Sequence, residues 1–148
     1  MGHWGVKSYE NDEAHDALDA GFDRVHGARY EELMDDRNPL TYEDVQQQLA
    51  DARTLEASIA ALWDSVGREI APESWDDVAR LALAGIVVRH AELKVPIPEE
   101  WRQRAIEWLE HEEIDWHEAT TRRLRRQKEV DLLRGTPGTM GSSPGSEA

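Results

Sequence analysis

The chain has 148 residues, a formal net charge of −14 at pH 7 and no cysteine. The lack of cysteine excludes disulfides and thiolate zinc sites and favours a reducing compartment, so we expect a cytoplasmic protein. The negative charge disfavours nucleic acid as a partner, and the richest apolar run, residues 78–88, is too short for a membrane span.

The opening residues form a compact motif, MGHWGVKSYENDEAHD. They resemble the opening of a family of small bacterial proteins of unknown function whose members begin MG-x-WG-x-x-x-[FY]-[DE]-N-D-x-A. The matching residues are Met1, Gly2, Trp4, Gly5, Tyr9, Glu10, Asn11, Asp12 and Ala14. The resemblance implies a similar length and a helical, tryptophan-rich continuation, and it implies no activity.

The same residues also have a direct physical interpretation. Gly5 permits a tight backbone path, and Trp4 can bury a large ring that holds the end of the chain. Asn11 is a favourable helix N-cap, and Asp12 places negative charge in the first helical turn. A docked terminus with a helix cap is therefore the favoured interpretation, and a binding loop is the alternative.

The first helix is predicted over residues 12–26, with Gly27 ending it. Its apolar face consists of Ala14, Ala17, Leu18, Gly21, Phe22 and Val25. Residues 35–39 are predicted to form a turn. Thr41 and Asp44 then have the spacing of a capping box, which predicts the start of a second helix.

The second predicted helix continues to Val66, before Gly67 and Pro72, with a kink near Arg53 or Thr54. Its apolar residues recur at helical spacing. They are Val45, Leu49, Ala52, Ile59, Leu62, Trp63 and Val66.

Ser74 is predicted to cap a third helix that runs from Trp75 to about Leu93. Residues 81–88 of this helix are apolar on nearly every side. Such a segment belongs at the centre of a bundle, because it needs apolar neighbours all around it.

A fourth helix is predicted to start at Pro98, and it either continues past Glu112 or breaks there, the break being favoured. Glu112 is a carboxylate among indoles in the first case and a solvated turn residue in the second. Residues 135–148 are rich in Gly, Ser and Pro and predict a flexible tail.

Three tryptophans, Trp101, Trp108 and Trp116, share one face of this fourth helix. A stripe of this kind usually contributes to a core, which is the favoured interpretation. The alternative is an exposed patch that anchors a partner protein, since Trp often carries the binding energy of an interface.

Basic residues concentrate in residues 122–134, which hold six Lys and Arg against two Asp and Glu. The run contains Arg122, Arg123, Arg125 and Arg126. It either contacts an acidic partner or nucleic acid, or it complements the helix dipole and the acidic body of its own chain, and we favour the internal role.

Two groups of residues have side chains that can ligate a metal ion. His15, Asp19 and His26 follow one strip of the first helix, although the two histidines lie about 16 Å apart along the axis. A second group consists of His111, Glu113 and His117. For both groups, polar residues on a solvated helix surface are the favoured interpretation.

We therefore predict a single all-α domain over residues 1–134, an irregular bundle of four or five helices, without a cofactor. The favoured function is a protein-binding module that binds or neutralises a basic partner. The alternatives are a metal-dependent hydrolase or oxidase and a homo-oligomeric structural protein.

Overall fold

The computed structural model describes residues 7–112, 119–135 and 138–139, whose regular secondary structure is almost entirely helical. The helices are α1 (Asp12–His26), α2 (Ala28–Met34), α3 (Tyr42–Leu49), α4 (Ala52–Val66), α5 (Asp77–Glu92), α6 (Glu99–Glu110) and α7 (Ala119–Gly135). A 3₁₀ turn, Pro72–Ser74, precedes α5. Strands β1 (Ile97–Pro98) and β2 (Gly138–Thr139) pair in parallel. The all-α prediction is confirmed, whereas the prediction of four or five helices is wrong, because the described residues form seven.

Local capping signals explain where α1 begins and ends. The Asn11 side chain accepts a hydrogen bond from the amide of Ala14 at 2.9 Å, so the predicted N-cap is confirmed. Gly27 ends the helix with a φ of 51°, a conformation that glycine adopts readily. The short α2 follows at once. Its seven residues carry too little periodicity to be predicted, and it is held by two buried side chains, Tyr30 and Leu33.

The second predicted helix is in fact two helices, α3 and α4. The predicted capping box of Thr41 and Asp44 is present, with reciprocal bonds of 3.1 and 3.2 Å. A second capping box forms where we expected a kink: Asp51 and Thr54 exchange two bonds of 2.9 Å. The chain therefore ends one helix at Leu49 and starts another at Ala52.

The start of α5 also differs from the prediction. Ser74 belongs to the 3₁₀ turn, and Asp76 is the N-cap, accepting a hydrogen bond from the amide of Ala79 at 2.9 Å. Two acceptor side chains stand close together here. Pro72 favours the 3₁₀ turn that contains Ser74, so α5 starts after this turn and Asp76 is its N-cap.

Helix α5 occupies the centre of the bundle and contacts α1, α4, α6 and α7. Residues 82–88 are all buried, as their apolar composition predicted. Gly85 lies in this segment because the backbone of the N-terminal residues crosses α5 there. A Cβ at Gly85 would lie 2.5 Å from the Ser8 carbonyl oxygen and 2.7 Å from the Tyr9 Cα.

The C-terminal part of the chain breaks where we favoured a break. Helix α6 ends at Glu110, and α7 begins at Ala119. Of the predicted tail, Gly135 closes α7 and residues 138–139 pair with β1, while the remainder lies outside the described residues. Within the described ranges, no helix combines the length and apolarity that crossing a bilayer requires.

Replacing Gly85 by Ala should destabilise the protein. Alanine normally stabilises a helix interior by about 1 kcal/mol over glycine, but here the methyl group collides with backbone atoms that cannot rotate away. We expect a net loss of about 2 kcal/mol in the free energy of unfolding, measured by urea denaturation. Gly135→Ala is the matched control, because its Cβ meets nothing within 4 Å. Equal effects of the two substitutions would contradict the close approach.

Candidate functional site

The described part of the N-terminal motif is a packed turn. Asn11 is buried, and its amide donates to the Ser8 carbonyl at 2.7 Å while its oxygen caps α1. The Tyr9 hydroxyl donates to Glu92 at 2.7 Å, and its burial, together with this bond, raises the pKa of Tyr9. Asp12 is exposed in the first turn of α1. Trp4 and Gly5 lie outside the described residues.

A group of charged side chains connects this turn to α7, and we call it the buried ion cluster: Glu92, Glu112, Arg122, Arg125 and Glu129. The side chain of Glu129 is fully buried. It accepts hydrogen bonds from the amide and hydroxyl of Ser8 at 2.8 and 3.0 Å. Arg122, 1% exposed, donates to its other oxygen at 3.0 Å. The carboxylate is thus paired and hydrogen-bonded, as a buried charge requires.

The predicted basic run therefore serves largely within the chain. Arg122 also donates to Glu112 at 2.6 Å. Arg125 pairs with Glu92 and Glu129, and Arg126 donates to the Glu112 carbonyl at 3.0 Å, while Arg123 is exposed. Because α6 ends at Glu110, the prediction made for a continuous helix does not apply to Glu112. The prediction of a solvated residue after the break is wrong, since the Glu112 side chain is 13% exposed and held by a buried guanidinium.

The three residues of the first predicted metal-ligand strip each contact a different neighbour. His15 packs its ring against Tyr42, with centroids 5.2 Å apart. Asp19 accepts a hydrogen bond from the Tyr30 hydroxyl, with the two oxygens 2.5 Å apart. The Nε2 atom of His26 donates to the backbone carbonyl of the last residue of α3 at 2.7 Å. These contacts connect α1 to α2 and α3.

In the second predicted group, the exposed His111 donates from Nδ1 to the Glu107 carbonyl at 2.8 Å, at the end of α6. Glu113 and His117 lie outside the described residues. Among the residues that are described, no three His, Asp or Glu side chains are grouped in a way that would hold a metal ion.

Four tryptophans from three parts of the chain form a continuous ring array. Trp63 of α4 contacts Trp75 at 5.9 Å and Trp101 at 6.3 Å, both edge to face. Trp75 continues the array to Trp108 at 6.2 Å. The indole N–H groups of Trp63 and Trp75 both donate to the Ile70 carbonyl at 3.1 Å, which fixes the two rings.

The predicted stripe contributes to this array and to the core. Trp101 and Trp108 are partly buried and pack against the hydrophobic core, while Trp116 lies outside the described residues. An arginine guanidinium group lies over each of the three partly exposed indole rings in a cation–π contact. The pairs are Arg68 on Trp63 at 5.1 Å, Arg104 on Trp101 at 5.1 Å and Arg80 on Trp108 at 5.2 Å.

One side of the array opens into a groove of about 600 Å³ between α4 and the segment 96–101, which we call the tryptophan groove. Its apolar lining consists of Ala52, Leu55, Ile59, Ala60, Trp63, Pro96, Pro98 and Trp101. Three charged residues complete the lining: Arg53, Glu56 and Arg68. The groove can therefore accept an apolar group and offers charged contacts beside it.

Behind the groove, the fully buried His90 supports the first turn of α4. Its Nδ1 atom donates to the Ile86 carbonyl at 3.0 Å, which leaves Nε2 to accept from the Thr54 hydroxyl at 2.9 Å. Burial lowers the pKa of His90 to about 4, because desolvation disfavours the imidazolium. The neutral ring thus connects α5 to the first turn of α4, whose neighbouring residues Arg53 and Leu55 line the groove.

Sequence reasoning assigned none of the groove residues except Trp101 to a site. The sequence predicts Trp63 only as part of an apolar helix face and Pro98 only as the start of the fourth helix. A Pro-x-Pro segment close to a tryptophan could indicate one wall of a binding groove. The other wall, α4, lies about 30 residues away along the chain, so the sequence alone does not show that the two walls face each other.

We expect the stability that His90 contributes to disappear in acid. Its folded pKa of about 4 lies below the ordinary value of 6.5, so the unfolded chain takes up the proton first. This contribution is complete above pH 6.5, falls as the pH drops from 6.5 to 4, and amounts to about 3 kcal/mol. His90→Gln should remove this pH dependence from urea unfolding curves. The control, Val88→Ala, should lower stability equally at every pH. Parallel profiles for wild type and His90→Gln would contradict the assignment.

Arg122→Met should cost about 3 to 5 kcal/mol of unfolding free energy, because it removes the buried guanidinium from both Glu112 and Glu129 and leaves Glu129 only the more distant, partly exposed Arg125. Lys128→Met on the exposed side of the same helix should change stability by about 0.5 kcal/mol or less. Thermal unfolding followed by circular dichroism compares them. A small effect at Arg122 would contradict the buried ion pair.

Comparisons with known proteins give no relative: no family model, curated protein or solved structure matches this chain. The likeness of its first residues to a family of unknown function stays a prediction.

Proposed function

We propose that this protein is a protein-binding module that holds an apolar segment of a partner in the tryptophan groove. The observation that carries the proposal is the groove itself, in which two tryptophans, two prolines and aliphatic side chains of α4 line one opening. Its volume of about 600 Å³ is typical of ligand sites. Large apolar side chains in a preformed recess are the usual anchors of an interface.

The rigidity of the aromatic walls supports this function. Trp63 is held by its bond to the Ile70 carbonyl and by the edge contact with Trp101. Because these rings are already ordered, binding a partner costs less side-chain entropy than it would if the rings were mobile. The groove is therefore suited to recognition without rearrangement of the bundle.

The charges around the groove favour a mixed segment. Arg53 and Arg68 are 70% and 55% exposed and form ion pairs with Asp51 and Asp64. Glu56 is exposed on the same wall. A partner segment that carries an apolar anchor and flanking polar residues would meet complementary groups here.

The net charge of −14 adds a second element to the proposal. An acidic surface attracts a basic partner over long range and raises the association rate, while the groove supplies the short-range contacts. We therefore propose a basic partner, approached through the acidic body and anchored in the groove. A second copy of the chain is the alternative occupant.

Ala60→Lys tests the groove, because it fills the opening from the partly exposed side of α4 without removing a core side chain. Ala57→Lys is the matched control, since Ala57 lies on the same helix, is also partly exposed and does not line the groove. We expect peptides selected from a display library on the wild type to bind Ala60→Lys at least about tenfold more weakly and Ala57→Lys with unchanged affinity.

Fluorescence anisotropy measures these affinities, and light scattering shows whether a second copy is the occupant. A dimer that Ala60→Lys dissociates would replace the heterologous partner by self-association. Selected peptides that bind both variants equally, or the failure of any peptide to be enriched, would contradict binding in the groove.

A further inference from the structure

A second cavity lies at the other end of the ring array, and we propose that it binds an oxyanion, the carboxylate or phosphate group of a ligand. This cavity of about 570 Å³ lies between the 3₁₀ turn, α5 and α6. We call it the two-arginine cavity. Its lining consists of Glu73, Arg80, Arg104, Glu107, Trp108 and His111. The proposal does not depend on the tryptophan groove.

Both arginines converge on a single residue, Glu73. Arg80 donates from Nη2 to the Glu73 carbonyl at 2.8 Å, and Arg104 donates from Nη2 to the Glu73 carboxylate at 2.5 Å. The two guanidinium groups are therefore close enough to act on one small ligand. Guanidinium groups match the geometry of carboxylate and phosphate oxygens better than ammonium groups do.

Arg80 has unused donor capacity. Its Nε atom is buried without a hydrogen-bond acceptor, and within the described part of the chain no carboxylate lies at ion-pair distance from it. In a protein with 31 Asp and Glu residues, a partly buried arginine without a carboxylate is unexpected. Leaving such a donor unsatisfied costs free energy that an oxyanion would recover.

Aromatic packing holds Arg80 in place. Its guanidinium lies over Trp108 at 5.2 Å, and Trp108 in turn packs against the buried Trp75 at 6.2 Å. A stacked guanidinium loses little rotamer freedom when it binds. A small adjoining cavity of about 70 Å³ also borders Arg80 and Trp108.

Glu73 shows where a ligand oxygen would lie. Its side chain is 67% exposed, whereas that of Arg104 is only 23% exposed. A solvent-exposed carboxylate thus sits on a largely buried cation, and a ligand can displace it by rotation of one surface side chain. We infer that Glu73 is an internal competitor that occupies the oxyanion position until a ligand replaces it.

This competition makes a specific prediction about affinity. Glu73→Gln removes the competing charge from Nη2 of Arg104, whose Nη1 remains paired with the exposed Glu100, so it should tighten oxyanion binding about tenfold. Arg80→Gln should weaken binding about tenfold, since a charged donor is lost. Arg53→Gln is the control, because this exposed arginine lies on the tryptophan groove, outside the two-arginine cavity, and should leave the affinity unchanged.

The experiment is a titration of the full chain with inorganic phosphate and, separately, with glutarate, at constant ionic strength set by sodium chloride. The readout is the arginine Nε–H resonances in nitrogen-15 NMR spectra, assigned through the variants. Saturation with phosphate alone assigns a phosphate-bearing ligand, and saturation with glutarate alone assigns a carboxylate; either result supports the site.

Two outcomes would overturn the proposal. One is the absence of saturable shifts for both probes in the wild type and in Glu73→Gln. The other is an affinity that Glu73→Gln leaves unchanged. Because Glu73 is exposed, its substitution should preserve the fold, so a folding failure of Arg80→Gln would not prevent the test.

Discussion

The complete burial of residues 82–88 of α5 is the constraint on which the rest of the structure depends. Each large apolar side chain removed from water contributes about 1.5 to 3 kcal/mol, and this segment gains that energy only when apolar neighbours cover it on every side. Helices α1, α4, α6 and α7 provide that cover. Gly85 is required in the same segment because the chain near Ser8 passes over α5 there, at a distance that excludes a side chain.

The buried ion cluster has a different role, which is to hold α7 against the turn that contains Ser8. Burying a carboxylate such as Glu129 is unfavourable unless its oxygens are satisfied, and here Ser8 and Arg122 together satisfy them. Because these partners lie at opposite ends of the sequence, the requirement fixes the position of α7 against the N-terminal turn. Arg122 and Arg125 thus form ion pairs within the chain.

The tryptophans connect stability to the proposed functions. The same array packs on the core, forms walls of the tryptophan groove and supports the guanidinium groups of the two-arginine cavity. Trp101 lines the groove, and its ring also contacts the guanidinium of Arg104, which lines the two-arginine cavity. The two sites therefore share one structural support. A ligand in either site would meet side chains that are already ordered, and this favours affinity because little freedom remains to be lost.

The sequence by itself determined the features whose causes are local. The limits of α1, the capping box at Thr41 and the burial of residues 82–88 follow from side chains within a few positions of one another, so periodicity and capping rules predict them. The division of the second helix at Asp51 was missed, since a second capping box inside an apolar pattern looks like a kink. Tertiary structure alone decided that Ser8 faces Glu129 and that Trp63 contacts Trp101 beside the groove. These contacts join distant segments, and no local pattern encodes which helix faces pack against each other.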